Sequence, residues 1–423
     1  MKKIIIIFCF FFITVLWAKT QNLYEFIPDS SYFNESVMFS GYGLANSNAL
    51  TEEFINTWIN SGFISDEIKN SVLNRMQNSN LAGTNISGKV YYIRDHYNTL
   101  SESGYIGYFA GFESNYLLSI RFNNDLFRLA FIGNESYENK TISIDNNKFV
   151  SLAWDKAGGG LYKRVSNENG IALGGISLNI LRARQYNKID VNKANLFTAS
   201  NGEFIDVDAK FKGYQSDNNA SSGILAFNGY GISTDLFYRF TYKNKLNYYF
   251  AVSNFGVIKM NKKSLSINHD TSFRFSGIQL NEIIQNNSIS WNTGSPDSII
   301  DSYIPEYESG IYYINTPCTL SAGFSWIAVK NRLNLNMNID YMLFIPYLPK
   351  VQIQSDIHLN KNFSISPSFI YGGFNKGNAG IEINYKNKYF QFYCGSNDIN
   401  GLLYPHKSSG MSAYLSLLFF LKK

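Results

Sequence analysis

The chain has 423 residues, of which Phe, Tyr and Trp make up 16% and Asp, Glu, Lys and Arg together another 16%, whereas about a quarter of an ordinary soluble domain is charged. So many aromatics exclude disorder, and 32 Gly without a sustained heptad exclude collagen and coiled coil. The formal net charge of +5 falls to +2 if Lys2, Lys3 and Lys19 leave with a signal segment, a balance that favours neither nucleic acid nor an acidic surface.

The first element is such a segment. Lys2 and Lys3 precede an apolar run from Ile4 to Trp17 that ends in Ala18-Lys19-Thr20. That run is too short to span a bilayer as a helix, which takes about twenty residues, and it reads as a secretory signal over residues 1–20. Cys9 lies in its middle, so lipidation is not expected. Only Cys318 and Cys394 follow, and they read as isolated thiols ahead of one disulfide.

Residues 21–88 read as an N-terminal segment. Within it, 51–79 has helical spacing: Ser65 as N-cap, Asp66 and Glu67 in the first turn, and Ile68, Val72, Leu73 and Met76 on one stripe. Gly62 separates an earlier helix with Phe54, Ile55, Trp58 and Ile59. From 89 to 423 the dominant period is two. N-terminal strands are expected near 89–97, 105–113, 116–122, 148–164, 171–182, 185–198 and 203–214. Ile232, Leu236, Tyr238 and Phe240 then alternate with Ser233, Asp235, Phe237 and Arg239, Lys243-Asn244-Lys245 turns the chain, and Leu246, Tyr248 and Phe250 resume the apolar face. Further strands are expected near 264–276, 308–315 and 319–329. The pattern repeats at Leu333 to Tyr341, Val351 to Leu359, Phe363 to Tyr371 and Ile381 to Tyr385, joined by short turns at 330, 360 and 386, and ends in a strand from Ser412 to Leu421. Residues 278–304, with Leu280, Ile283 and Ile284 among Asn, Ser and Asp, read as a long connection.

A soluble sandwich also alternates, but four features favour a barrel that presents its apolar face to lipid. The chain is exported, its strands have the length a tilted span needs, it ends on a strand that can pair with its first, and Tyr242, Tyr248, Phe363 and Tyr385 flank the short turns. The fold class expected is therefore all-β: a transmembrane antiparallel β-barrel of about fourteen strands, within a range of about twelve to eighteen. Short turns belong to the periplasm, with the longer connections at 215–229, 344–350, 372–378 and 397–411 on the other side. The helical hairpin and the 278–304 connection are both candidate plugs; packing under the periplasmic mouth is the alternative for either.

Three stretches carry a family resemblance: Gly62-Phe-Ile-Ser-Asp-Glu-Ile-Lys-Asn with Leu73-Asn-Arg-Met, Asp125-Leu-Phe-Arg-Leu-Ala-Phe-Ile-Gly-Asn134, and Phe275-Ser-Gly-Ile-Gln-Leu-Asn-Glu-Ile-Ile284. Together they resemble an uncharacterised family of Gram-negative outer-membrane β-barrels, similar in architecture to the long-chain fatty-acid transporter and to the barrel subunits of type IX secretion. The resemblance implies the barrel and assigns no functional residue.

No catalytic constellation is found. The four His include no HExxH and no second His at ligand spacing, and Gly158-Gly159-Gly160 lacks the rest of a P-loop. His358 shares a face with Asp356, and by alternation that face is the lumen. The expected lumen-lining set is Asp235, Arg239, Asp340, Asp356, His358 and Glu382, mixed in sign and therefore without strong ion selectivity. No enzyme, metal or cofactor is expected. The sequence predicts a porin-like protein of the cell outer membrane that passes a small or hydrophobic solute, with a non-conducting scaffold or partner in secretion or envelope assembly as the alternative. Outer-membrane lipid, the solute and an envelope or secretion protein are the expected partners.

Overall fold

The computed structural model describes Ile27 and residues 35–96, 105–217, 223–243, 245–275, 307–404 and 408–422. The signal segment 1–20, Asn244 and the connection at 278–304 lie outside the described residues. The first half of the chain contains β1 (Glu35–Ser47), α1 (Glu52–Ile59), α2 (Asp66–Leu73), β2 (Asn80–His96), β3 (Tyr105–Phe122), α3 (Asn124–Phe131), β4 (Lys140–Ser143), β5 (Lys148–Asn167), β6 (Gly170–Thr198) and β7 (Ile205–Gln215). There follow β8 (Gly229–Tyr242), β9 (Leu246–Met260), β10 (Leu265–Phe275), β11 (Glu308–Ser309), β12 (Tyr313–Asn315), β13 (Cys318–Val329) and β14 (Leu333–Leu343). The chain continues through β15 (Leu348–His358), β16 (Phe363–Gly373), β17 (Asn375–Lys386), β18 (Phe390–Ser396), α4 (Ile399–Leu403) and β19 (Gly410–Lys422).

Fourteen strands close a ring of antiparallel pairs. Its order is β1, β2, β3, β5, β6, β8, β9, β13, β14, β15, β16, β17, β18 and β19, which pairs back onto β1. Closure leaves the wall without an edge, the condition for a sheet in hydrocarbon. The connections at 168–169, 243–245, 330–332 and 387–389 share one end, and the helices and longer loops gather at the other.

The two faces of the wall show which side meets lipid. On β8 the even positions Tyr230, Ile232, Leu236 and Tyr238 are exposed while Ser233 and Phe237 are buried. Ile339 and Met337 on β14, Ile353 and Ile357 on β15, and Phe369 and Tyr371 on β16 are exposed on the same outer surface. Inward positions carry Ser40, Ser177, Ser321, Gln352, Gln354, Ser364 and Ser416, all buried. A water-soluble barrel would have the opposite arrangement. The apolar wall has a visible border at the long-loop end. Lys156 faces inward, so Asp155 faces outward, where its carboxylate meets Arg182 Nε at 2.9 Å and Arg184 Nε at 3.3 Å. Ile180 and Leu178, one and two outward positions below Arg182, are among the most exposed side chains of the wall. Ile176, midway on the same strand between Arg182 and the short turn at Gly170, is exposed as well, so Ile176→Arg is expected to destabilise the folded barrel by about 2–4 kcal/mol, the cost of Arg near a bilayer midplane. Equilibrium folding into vesicles measures it, and an unchanged midpoint would refute the placement of this face in lipid.

Three features differ from the sequence reading. The wall begins at β1, ahead of the helical hairpin, so the boundary expected at residue 89 moves to Glu35. Gly41, Gly43, Ser36 and Ser40 dilute the alternation of β1 and hide it. The helices then connect β1 to β2 at the long-loop end, and their apolar stripe finds partners outside the lumen. Phe54 and Val72 pack with Phe127 of α3 and with Ala82 and Phe122 on the outward side of β2 and β3, and the Phe54 and Phe131 rings lie 4.9 Å apart. The hairpin is thus a rim structure and not a plug. Finally, β7 and β10, expected as wall strands, lie in a small sheet beyond the wall, where β7 pairs with the second half of β6 and β10 pairs with β7. β7 reads Ile-Asp-Val-Asp-Ala-Lys-Phe-Lys, and its charges pair across strands, Lys210 with Asp270 at 2.6 Å and Asp206 with Arg274 at 2.6 Å. Such a strand cannot face hydrocarbon.

Candidate functional site: a stoppered lumen

The inward side chains divide the lumen into layers. At the short-turn end Tyr91, Phe109, Tyr162, Phe237, Leu173 and Leu418 form an apolar cluster. The Phe109 ring lies 6.2 Å from that of Phe237, and Tyr162 Oη bonds Asp95. Ile27 is part of this cluster, and its carbonyl accepts from Arg239 Nη2 at 3.1 Å. A residue that precedes the first wall strand is therefore inserted in the barrel and held there by a wall side chain.

Above this layer lies a network of buried charges. Lys156 Nζ is 3.1 Å from Glu113 and 3.2 Å from Asp235, and donates to Asn254 Oδ1 at 3.0 Å. Lys89 reaches Glu113 at 3.8 Å, and Tyr91 Oη donates to the same carboxylate at 2.6 Å. Asp235 also accepts from Ser177 Oγ at 2.7 Å, from Asn179 Nδ2 at 3.0 Å and from the Asn254 backbone N–H at 2.7 Å. That last bond fixes a bulge. Asn254 has φ of 59° and the β8–β9 register slips between Thr234 and Leu236, so the outward set of β9 changes from Tyr248 and Phe250 to Phe255 and Val257.

At the long-loop end the turn between β14 and β15 dips into the mouth. Ser119 Oγ on β3 donates to the Pro346 carbonyl at 2.6 Å, a contact between strands well apart around the ring. Tyr347 from this turn packs edge-on against Phe374 with centroids 5.0 Å apart, and both bury against Leu81. A Cβ at Gly83 would run into the Phe374 ring, so β2 needs glycine there to admit the stopper. Between stopper and charge layer is a cavity of about 80 Å³ lined by Tyr42, Lys89, Asn115, Trp154, Asp340 and Lys350 among others. It has room for a few waters only and is far below the 300 Å³ or so of a drug-sized site.

The six residues expected in the lumen do not meet at one place. Asp235 is in the central network. Arg239 holds Ile27 at the short-turn end. Asp340 lines the cavity, 2.7 Å from Lys350 and 2.7 Å from Ser321 Oγ. Asp356 accepts from Asn336 Nδ2 at 2.7 Å and Gln354 Nε2 at 2.8 Å, and His358 Nε2 lies 3.1 Å from Asn334 Nδ2. Glu382 is buried against Tyr414. Sequence reasoning missed Glu113, Lys156, Lys89 and Lys350. The signal for Lys156 was a lysine inside the apolar run Val150 to Gly160, where a charge has to be paired. Cys318 and Cys394 are free thiols on β13 and β18.

These features define a transmembrane β-barrel whose lumen is stoppered rather than open. The chain belongs to the family described as Family of unknown function (DUF5723), whose model matches residues 18–397. Among solved structures it is similar to a Pseudomonas aeruginosa FadL homologue, with 9% identity over 92% of this chain and 90% of that one at a TM-score of 0.43. It is also similar to the P. putida toluene transporter TodX, with 9% identity, 94% and 92% coverage and a TM-score of 0.42. The translocator domain of the autotransporter NalP from Neisseria meningitidis gives 6% identity, 94% and 92% coverage and a TM-score of 0.35. These likenesses are distant and concern the fold alone. No curated protein matches the chain.

Proposed function

We infer that the protein resides in the outer membrane, exported behind its N-terminal apolar segment, and passes a small or hydrophobic solute through a gated lumen. The observation that carries this reading is the layering of the interior: aromatic stoppers at both ends of a charge-balanced middle, Lys89, Lys156 and Lys350 facing Glu113, Asp235 and Asp340. An aqueous pore would keep a continuous polar path. Aromatic constrictions instead favour an apolar solute, which loses little on leaving water. Gating would fall to the Phe344–Tyr347 turn at one end and to Ile27 with the Phe109 and Phe237 rings at the other.

The same filling favours a second reading, a non-conducting barrel that serves as scaffold or partner in secretion or envelope assembly. Transport assays separate the two. In planar bilayers the wild-type chain is expected to give no steady conductance, and cells that carry it are expected to take up an apolar aromatic probe faster than cells without it. Equal uptake with and without the protein would reject transport and leave the scaffold.

A further inference from the structure

The outer surface of the wall changes character at its long-loop border. Asp155 on β5, Arg182 on β6, Tyr230 on β8, Lys259 on β9 and Tyr313 on β12 are successive partners in the antiparallel register, so they form one row across these strands. Their chain neighbours Leu181, Ala183, Ile258, Met260 and Ile314 are buried on the inner side, which turns Arg182, Lys259 and Tyr313 outward. Arg184 sits where the β5–β6 register slips, and its Nε lies 3.3 Å from Asp155. The next outward row toward the short turns is Ile180, Ile232 and Val257, again register partners and all exposed.

Three cations in this row meet one acid. Arg182 Nε donates to Asp155 at 2.9 Å and Arg182 Nη2 to the Ile224 carbonyl at 2.9 Å, while the Lys259 ammonium has no hydrogen bond or ion pair among the described residues. Lys262 and Lys263, exposed in the turn after β9, add to the excess. Further around the ring the same border presents Tyr341, Leu348 and Tyr371, all exposed and uncharged, so the positive charge is confined to one sector. Arg182 and Lys259 are two strands apart, about 10 Å at the usual strand spacing, with the exposed Tyr230 between them. Both side chains are long enough to converge over that ring. The loop that Arg182 holds carries Ile224, Leu225 and Phe227, which are also exposed.

We propose that Arg182, Tyr230 and Lys259 bind the phosphate monoester of a lipid in the leaflet at the long-loop end, an assignment that rests on the outer-membrane reading above. The guanidinium and the ammonium supply charge-assisted donors to a phosphate, the Tyr230 hydroxyl adds a third donor, and an anionic headgroup offsets the positive excess of the row. Asp155 and Arg184 position the Arg182 fork. The exposed row of Ile180, Ile232 and Val257 lies where the acyl chains of such a lipid run, and Ile224, Leu225 and Phe227 flank its headgroup. A free phosphate would use the donors and leave that apolar surface unused, so the occupant is a lipid. The three residues lie on three strands and meet only through register, so no motif in the sequence discloses them.

The test is native mass spectrometry of the full chain in detergent, offered equimolar phosphatidic acid and phosphatidylcholine with the same acyl chains. The expected result is a preference for phosphatidic acid that Lys259→Gln lowers about fivefold and the double change Arg182→Gln, Lys259→Gln about 25-fold, since each cation at a charged lipid surface contributes about fivefold in affinity. Lys259→Gln breaks no side-chain hydrogen bond or ion pair among the described residues and is expected to fold as wild type does. Lys388→Gln removes the same charge from an exposed position at the short-turn end and is expected to leave the preference unchanged. Equal binding of the two lipids by wild type would overturn the proposal. So would an equal loss from Lys388→Gln and Lys259→Gln, which would mean general charge attraction, or displacement of the lipid by equimolar inorganic phosphate. Folding into vesicles tests membrane residence separately, so a chain that folds there without preferring phosphatidic acid refutes this site alone.

Discussion

Lys156→Met is expected to destabilise the barrel by about 3–5 kcal/mol, because it leaves the buried carboxylate of Glu113 and the partly buried one of Asp235 without their shared cation. Lys156 and Glu113 are each buried to about 95% or more, so water cannot take over the ammonium's role. The Lys89 ammonium reaches Glu113 only at 3.8 Å and cannot compensate for both acids. The triple change Lys156→Met, Glu113→Gln, Asp235→Asn removes every charge of the trio and is expected to recover most of the loss, since replacing a whole buried ionic group costs far less than breaking it. Heat-modifiable gel migration and urea unfolding of the detergent-solubilised or vesicle-inserted protein measure both. A single variant as stable as wild type would mean that the carboxylates are hydrated from the lumen.

The second large effect is expected at the long-loop stopper. Phe374→Ala removes a fully buried ring that packs on Tyr347 and Leu81. A buried Phe-to-Ala change costs about 3–5 kcal/mol. The ring's volume also joins the 80 Å³ cavity beneath it, so the same change widens the lumen. Phe374→Leu, which keeps most of the apolar volume, is expected to lose much less stability and to remain closed. Conductance in planar bilayers, compared among wild type, Phe374→Ala and Phe374→Leu, reads the constriction directly. Identical traces for wild type and Phe374→Ala, with the expected loss of stability, would locate the seal at the short-turn end around Phe109 and Phe237 instead.

Strands in the C-terminal half were readable from the sequence because each obeys one simple rule. In β14 the residues Leu335, Met337, Ile339 and Tyr341 must face hydrocarbon, and Asn336, Asn338 and Asp340 must not. The predicted turns at 330, 360 and 386 then follow from the runs of Lys, Asn and Arg between them. The N-terminal half obeys the rule less openly. β1 substitutes Gly and Ser where a side chain would mark the face. β7 and β10 alternate as a wall strand does but leave the wall, and only their charges tell against lipid. β9 changes phase at Asn254, where a single residue with positive φ reverses inside and outside.

The candidate sites were readable in part. Asp235 and Asp340 were assigned to the inward face from alternation, yet alternation gives a face and a height without a partner. Lys156 reaches Asp235 across 79 positions of sequence and Ser119 reaches Pro346 across 227. Such pairs depend on strand order and register around a closed ring.

The sequence by itself therefore determined the solvent of each surface. The equality of aromatic and charged fractions reflects a wall that excludes charge from lipid, with Tyr238 and Phe369 exposed on it and Phe237 turned inward. Composition and period suffice for this because the bilayer acts on every outward residue alike. Which segment blocks the lumen was decided only by tertiary structure. The hairpin at 51–79 carries an apolar stripe that could have lain inside, but Phe127 and Phe122 give it a partner on the outer rim, while the short turn at 344–347 enters the mouth. Both segments can bury apolar surface, and only the closed ring determines which one the lumen can accept.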